Sequence, residues 1–260
     1  GFTMVDGQAR QTDLGALLTN PTALLAFGHV VFGGLLTAGF FMAAVSGYHL
    51  FRRTAEAELF RRSMRTGLVA VVVSVMPVAA FGGVQYAYVQ PTKHPGTQES
   101  AAQVAQFEAR FGPGDYTPPG LASAGELLME VAWSLMFFLA FAMLVKLPFG
   151  RWLERGRVFH VLMMAALPLP YVAMISGWVF REVGRQPWMV YGVLKTEDAL
   201  SDVGAGAVAV SFTVFTVLFA ALVVVNVWLL ARFARRGPEA VRLGAPGAPE
   251  PERPALTPTF

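Results

Sequence analysis

The sequence predicts an all-α membrane protein, a polytopic bundle of five transmembrane helices, and three observations carry that expectation. Of the 260 residues, 55% are hydrophobic and only 14% are charged, whereas a soluble domain carries about 25% charged residues. The mean hydropathy is +0.51. Five long apolar segments recur along the chain, and the basic residues gather in alternate connections between them.

The segments cover approximately residues 21–51, 66–88, 121–147, 159–180 and 204–230, and each meets the roughly 20 residues a helix needs to cross the hydrocarbon core. Backbone groups in lipid find no water to bond, so a single spanning segment has to be helical. Pro77, Pro168 and Pro170 fall inside these segments and predict kinks or repair by neighbouring helices. Together the spans define a membrane domain over residues 1–236. The remainder, 237–260, is rich in Pro, Ala and Glu and is expected to be a disordered cytoplasmic tail. The amino end is polar until about Thr19 and has no basic-then-apolar signal pattern, so it reads as a mature end or the middle of something longer. No internal repeat supports an inverted-repeat transporter.

Basic residues predict the orientation. The segments 52–65, 146–157 and 232–253 hold 14 Lys and Arg, while the alternate segments hold six: Arg10, Lys93, Arg110, Arg181, Arg185 and Lys195. The Arg-rich side is expected to face the cytoplasm, with the amino terminus outside and the carboxy terminus inside. The loop from Gln90 to Gly120 is then an outer one. A net charge of +3 with Arg at span ends gives no basic face for nucleic acid.

The chain has no cysteine, which excludes disulfides, iron–sulfur clusters, covalently attached haem and thiolate zinc sites within it and leaves His, Met and carboxylates as metal ligands. His29 lies about two turns inside the first span, and Gly28, Gly33 and Gly34 around it leave room for a flat macrocycle. The alternative is a histidine bonded between helices. His49, His94 and His160 fall at or beyond span ends, where an interfacial or solvated histidine is ordinary. Met129 enters the third span from the same side as His29 enters the first and reaches the same depth, which suits a His/Met axial pair on haem. Met136, two turns deeper, is the competing choice, and core filling is the alternative for both.

Glu182 closes the fourth span four residues after Trp178 and three before Arg185, so the three share a face if the helix persists. That set fits either a haem edge with its propionates or an interfacial Trp belt with a surface ion pair. Glu126 and Glu130, one turn apart in the third span, have to face protein or water. They suit a proton route or a solvated helix mouth.

The stretch from Gly177 to Asp198, GWVFREVGRQPWMVYGVLKTED, closely resembles the signature of cytochrome bd oxidase subunit I, above all in its GRQPW run from Gly184 to Trp188 followed by YGVLKT. LPLPYVA before it, TNPTALLAFGHVVFGG around His29, VQPTK at Val89 to Lys93 and the closing ARFARRGPE fall in matching order. The resemblance covers nearly the whole chain and the carboxy-terminal half of that family's subunit.

The resemblance implies a bundle around three haems near the outer surface of a prokaryotic inner membrane, reducing oxygen to water with electrons from quinol. It implies that His29 and Met129 are the axial ligands of a low-spin haem b, with Met129 favoured over Met136. It also implies that Glu182 is the carboxylate ligand of a high-spin haem b, Trp178 the aromatic residue between the haems, and Arg185 a partner of propionates. Haem d or a third haem b belongs to the family's first four spans, which have no counterpart here and are expected from another chain or a longer one, with subunit II as a further partner.

Lys93 matches a quinol-site lysine, but its acidic partner has no clear counterpart at Gln98 or Glu99. Charged positions of the family read Ala80, Phe81, Leu127 and Ile175 here, which points to a divergent branch with a different electron donor. The expected function is therefore half of an oxygen reductase, active only within a complex. The alternative is a non-catalytic scaffold or electron-relay subunit.

Overall fold

The computed structural model describes residues 2–5, 8–89, 101–116, 119–146, 156–190 and 194–236, and these are overwhelmingly helical. In order they form β1 (Phe2–Val5), β2 (Gln8–Gln11), α1 (Leu14–Leu18), α2 (Pro21–Arg52), α3 (Ala57–Val89), α4 (Ala101–Phe111) and α5 (Gly120–Lys146). These are followed by α6 (Arg157–Ala166), α7 (Leu169–Gly184), β3 (Trp188–Val190), β4 (Leu194–Lys195) and α8 (Ala205–Arg236). β1 with β2 and β3 with β4 are small antiparallel pairs. Five stretches are long and apolar enough to cross a membrane: Leu14–Arg52, Ala57–Tyr86, Gly120–Val145, Arg157–Gly184 and Ala205–Arg236. Gly1–Asp202 form one compact unit and Val203–Phe260 a second, which contains α8. The tail at 237–260 and Lys93, His94, Gln98 and Glu99 lie outside the described residues.

Local chemistry sets the helix ends. The Asn20 side chain accepts from Ala23 N–H while Pro21 takes the first helical position of α2, where a missing N–H costs nothing. Arg53 closes that helix in the left-handed region at φ 54°. α3 begins at Ala57, well ahead of the apolar onset at 66, because its first turns are charged rather than apolar. There Glu58 pairs with Arg61 and Arg62 at 2.5 and 2.8 Å, an i, i+3 and i, i+4 arrangement that supports a helix outside lipid. The fourth span is two helices: α6 stops at Ala166, Leu167 and Pro168 form a turn, and Val172 N–H bonds back to Pro168. α4 occupies part of the connection read from sequence as a loop.

α2 and α3 cross at glycines. A Cβ on Gly39 would stand 2.8 Å from the Gly67 carbonyl oxygen, and one on Gly67 would stand 2.8 Å from that of Gly39, so the backbones touch where only glycine fits. Beside this crossing sits the core, in which Phe40 and Ala43 of α2 meet Met64, Leu68 and Val71 of α3, Met136 and Met143 of α5, and Met163 of α6. α6 packs on α2, whereas α7 packs on α5. The core thus fills one half of the bundle and leaves the other, holding the start of α2 and the end of α3, less tightly covered.

Candidate functional site

His29 reaches from α2 to α3, where its Nδ1 lies 2.8 Å from the Val78 carbonyl oxygen. A carbonyl can only accept, so Nδ1 carries a hydrogen, and Nε2 is the nitrogen left to act as a ligand. Gly82 makes room for the ring: a Cβ there would lie 3.1 Å from both Nδ1 and Cε1 of His29. Two of the three glycines singled out from sequence face α3 side chains rather than open space. Gly28 receives the Phe81 ring, whose nearest atoms would lie 2.7 Å from a Cβ, and Gly33 faces Val78; Gly34 alone of the three opens onto free space. Helix contact, rather than space for a macrocycle, explains Gly28.

Met129 and Met136 occupy different surroundings. Met136 is buried in the apolar core, whereas the Met129 thioether sulfur lies against Gly177 of α7, 2.8 Å from where a Cβ would be. Contacts to α3 give the level of each residue. Glu126 of α5 accepts a 3.0 Å hydrogen bond from Tyr86, and Trp133 donates one of 3.0 Å to the Val75 carbonyl. Met129 lies between Glu126 and Trp133 on α5, and His29 meets Val78 and Gly82 between Val75 and Tyr86 on α3. The imidazole and the thioether therefore stand at about one level along the bundle, the first against α3 and the second against α7.

Helix α7 persists through Gly184, so Trp178, Glu182 and Arg185 do share a face. Arg185 donates to Oε2 of Glu182 at 2.6 Å, with both side chains about one-third exposed, and Trp178 is 64% exposed. Arg185 is held by its turn: the Trp188 N–H bonds to the Arg185 carbonyl at 2.9 Å, and Gln186 N–H to Val183 at 3.1 Å. Glu126 is half-buried and Glu130 exposed. Tyr86, which bonds Glu126, also stacks on Phe180 of α7 at 5.9 Å. Tyr86 and Gly82 went unread in the sequence analysis, and Gly177 was read only as the start of the signature stretch; the Gly82–Gly83 pair inside an apolar run was the available signal for Gly82.

His49 and His160 depart from expectation. Rather than being solvated they are 3% and 0% exposed. His49 stacks on Phe60 at 3.9 Å, and the backbone of His160 approaches Gly47, at 3.2 Å from a Cβ there. Hydropathy places them at span ends, but α6 lying on α2 covers both. Among the described residues no three His, Cys, Asp or Glu side chains are grouped as a metal site. A haem requires no such group, since one or two axial side chains hold its iron. The residues fit one: His29 presents Nε2 with its tautomer fixed by a backbone carbonyl, a usual second-shell arrangement for a ligating histidine.

These features define a multi-pass helical membrane protein with a polar, glycine-cradled His/Met level at one end of the bundle. The chain belongs to the cytochrome bd terminal oxidase subunit I family, whose profile matches residues 1–112 and 126–238. It is 26% identical over 291 residues to cytochrome bd ubiquinol oxidase subunit 1 of Bacillus subtilis strain 168, a match covering 92% of this chain and 62% of that protein. A putative cytochrome bd menaquinol oxidase subunit I of the same organism is 25% identical over 289 residues, covering 92% and 63%. Cytochrome bd-II ubiquinol oxidase subunit 1 of Escherichia coli K12 is 36% identical over 97 residues, 35% of this chain and 19% of that protein. The chain thus spans about three-fifths of the length of the two Bacillus relatives. Membership implies haem cofactors.

Proposed function

We propose that this chain is the haem-binding half of a cytochrome bd-like oxygen reductase subunit I, working inside a complex. His29 Nε2 and the Met129 thioether hold a low-spin haem b, Glu182 holds a high-spin haem b, and Trp178 lies between them. The haems, when bound, pass single electrons from a quinol or related donor towards oxygen. A further haem, d or b, is shared with a chain that supplies the spans missing here, and subunit II completes the assembly in a prokaryotic inner membrane, with the amino terminus outside.

The observation that carries this reading is the hydrogen bond from His29 Nδ1 to Val78, which leaves Nε2 as the coordinating atom. Around it, Gly82 and Gly177 keep Cβ atoms away from the imidazole and the thioether. At the second position, Arg185 engages Oε2 of Glu182, and the carboxylate would hold the iron of the high-spin haem. Arg185 also balances negative charge from propionates. The test is a reduced-minus-oxidised spectrum of the purified complex: His29→Ala is expected to lose the low-spin haem b signal while the protein stays in the membrane. An unchanged spectrum would exclude the assignment.

A second reading, a non-catalytic scaffold or electron-relay subunit, draws on the surface. Leu127 and Ile175, at two positions where the family carries charge, are each 63% exposed, so they present apolar surface in place of groups that tune haem potential. A complex that contains the low-spin haem but consumes no oxygen with any quinol would favour this reading.

A further inference from the structure

We propose that Phe107, Phe111 and Tyr116 are positioning residues for Arg185: by clamping Trp188 they fix the turn that keeps the guanidinium on Glu182, and so tune the haem held there. This rests on the reading of Glu182 as a haem ligand. Trp188 is 2% exposed and is enclosed by rings from a separate stretch of chain, with centroids of Phe107 and Phe111 at 5.0 Å and Tyr116 stacked at 5.7 Å. Edge-on and offset rings at these separations attract through their quadrupoles and resist sliding. Tyr116 is itself fixed, donating its hydroxyl hydrogen to the Gly112 carbonyl at 2.6 Å, with the Lys195 ammonium 5.3 Å from its ring centroid.

The clamp reaches Arg185 by a short path. The Trp188 backbone N–H bonds to the Arg185 carbonyl at 2.9 Å, so the indole's anchorage is carried to Arg185 within one turn. Thr196 closes the other side, donating its N–H to the Pro187 carbonyl at 2.9 Å and its hydroxyl to Gln186 at 3.0 Å. The Arg185 Nε is buried and makes no hydrogen bond among the described residues, so the guanidinium is held by Glu182 at one end and by its own backbone at the other. Backbone placement then decides how close the positive charge stands to the carboxylate. A charge interaction falls with distance and is strong where water is scarce, so a small displacement of this turn changes the field at an iron bound to Glu182.

The expected direction follows from the charge. A cation near the iron favours the reduced form, and loosening the clamp withdraws it. In the purified complex, redox titration followed at the high-spin haem bands should show a downward shift of midpoint potential for Phe107→Leu and for the milder Phe111→Leu. Tyr116→Phe keeps the stacked ring and should leave the potential in place, and the low-spin haem should not move in any of the three. Leucine variants that retain the haem with its original potential would overturn the clamp. Glu182→Gln separates the two claims. A retained high-spin signal in that variant removes the reading on which the clamp rests, whereas loss of the signal there, with an unmoved potential in the leucine variants, removes the clamp alone.

Discussion

Tyr86 donates its phenolic hydrogen to Oε1 of Glu126 across 3.0 Å while its ring stacks on Phe180, so one residue of α3 ties α5 and α7 together at the less covered end of the bundle. Glu126 is half-buried, and a hydrogen bond to a carboxyl so placed offsets part of its desolvation.

Tyr86→Phe keeps the ring stack and removes only the donor. It should destabilise the protein by about 0.5–1.5 kcal/mol, the net worth of one hydrogen bond. Glu130→Gln, on the exposed face, should stay within about 0.5 kcal/mol. Unfolding in mild detergent measures both, and equal effects would refute the importance assigned to the pair.

The two methionines should part company. Met129→Leu is expected to abolish the low-spin haem b signal, since the thioether at Gly177 is the ligand proposed. Met136→Leu exchanges one core side chain for another of similar volume and should cost less than about 1.5 kcal/mol with the spectrum intact. Loss of the signal in Met136→Leu alone would show that the site is real and the assigned sulfur wrong.

Glu182→Gln should lose the high-spin haem, and oxygen consumption with it, while the low-spin signal remains. Asp198→Asn changes an exposed carboxylate in the turn after β4 and should do neither. Retention of full haem content and activity in Glu182→Gln would reduce the Glu182–Arg185 contact to a surface ion pair, worth only about 0–1 kcal/mol.

Gly39→Ala places a methyl group 2.8 Å from the Gly67 carbonyl and should cost about 1–3 kcal/mol through forced separation of α2 and α3. Gly34→Ala meets nothing within 4 Å and should be neutral, or stabilising by up to about 1 kcal/mol as a helix Gly-to-Ala change. Comparing detergent melting temperatures of the two variants tests the crossing.

The number and length of the spans were legible in the sequence; the facing of side chains was not. Apolar run length is what makes a helix able to cross lipid, and so it located the five stretches long and apolar enough to span. Run length is silent about neighbours. His49 and His160 read as interfacial by depth, but α6 lies on α2 and buries both. Gly28 and Gly82 are both glycines one turn or less from the His29 level, and only the helix rotation reveals that the first admits Phe81 and the second the imidazole. α4 escaped notice because its 11 residues are too short and too polar for a hydropathy reading, and its role depends on Trp188 in a distant stretch.

The turn at Leu167 and Pro168 divides the fourth span between two judges. Residues of α6 answer to α2, and residues of α7 answer to α5. Substitutions in the two halves are therefore screened by different neighbours and can accumulate at different rates. The half carrying Trp178 and Glu182 can be retuned over generations without reopening the packing around the buried His160.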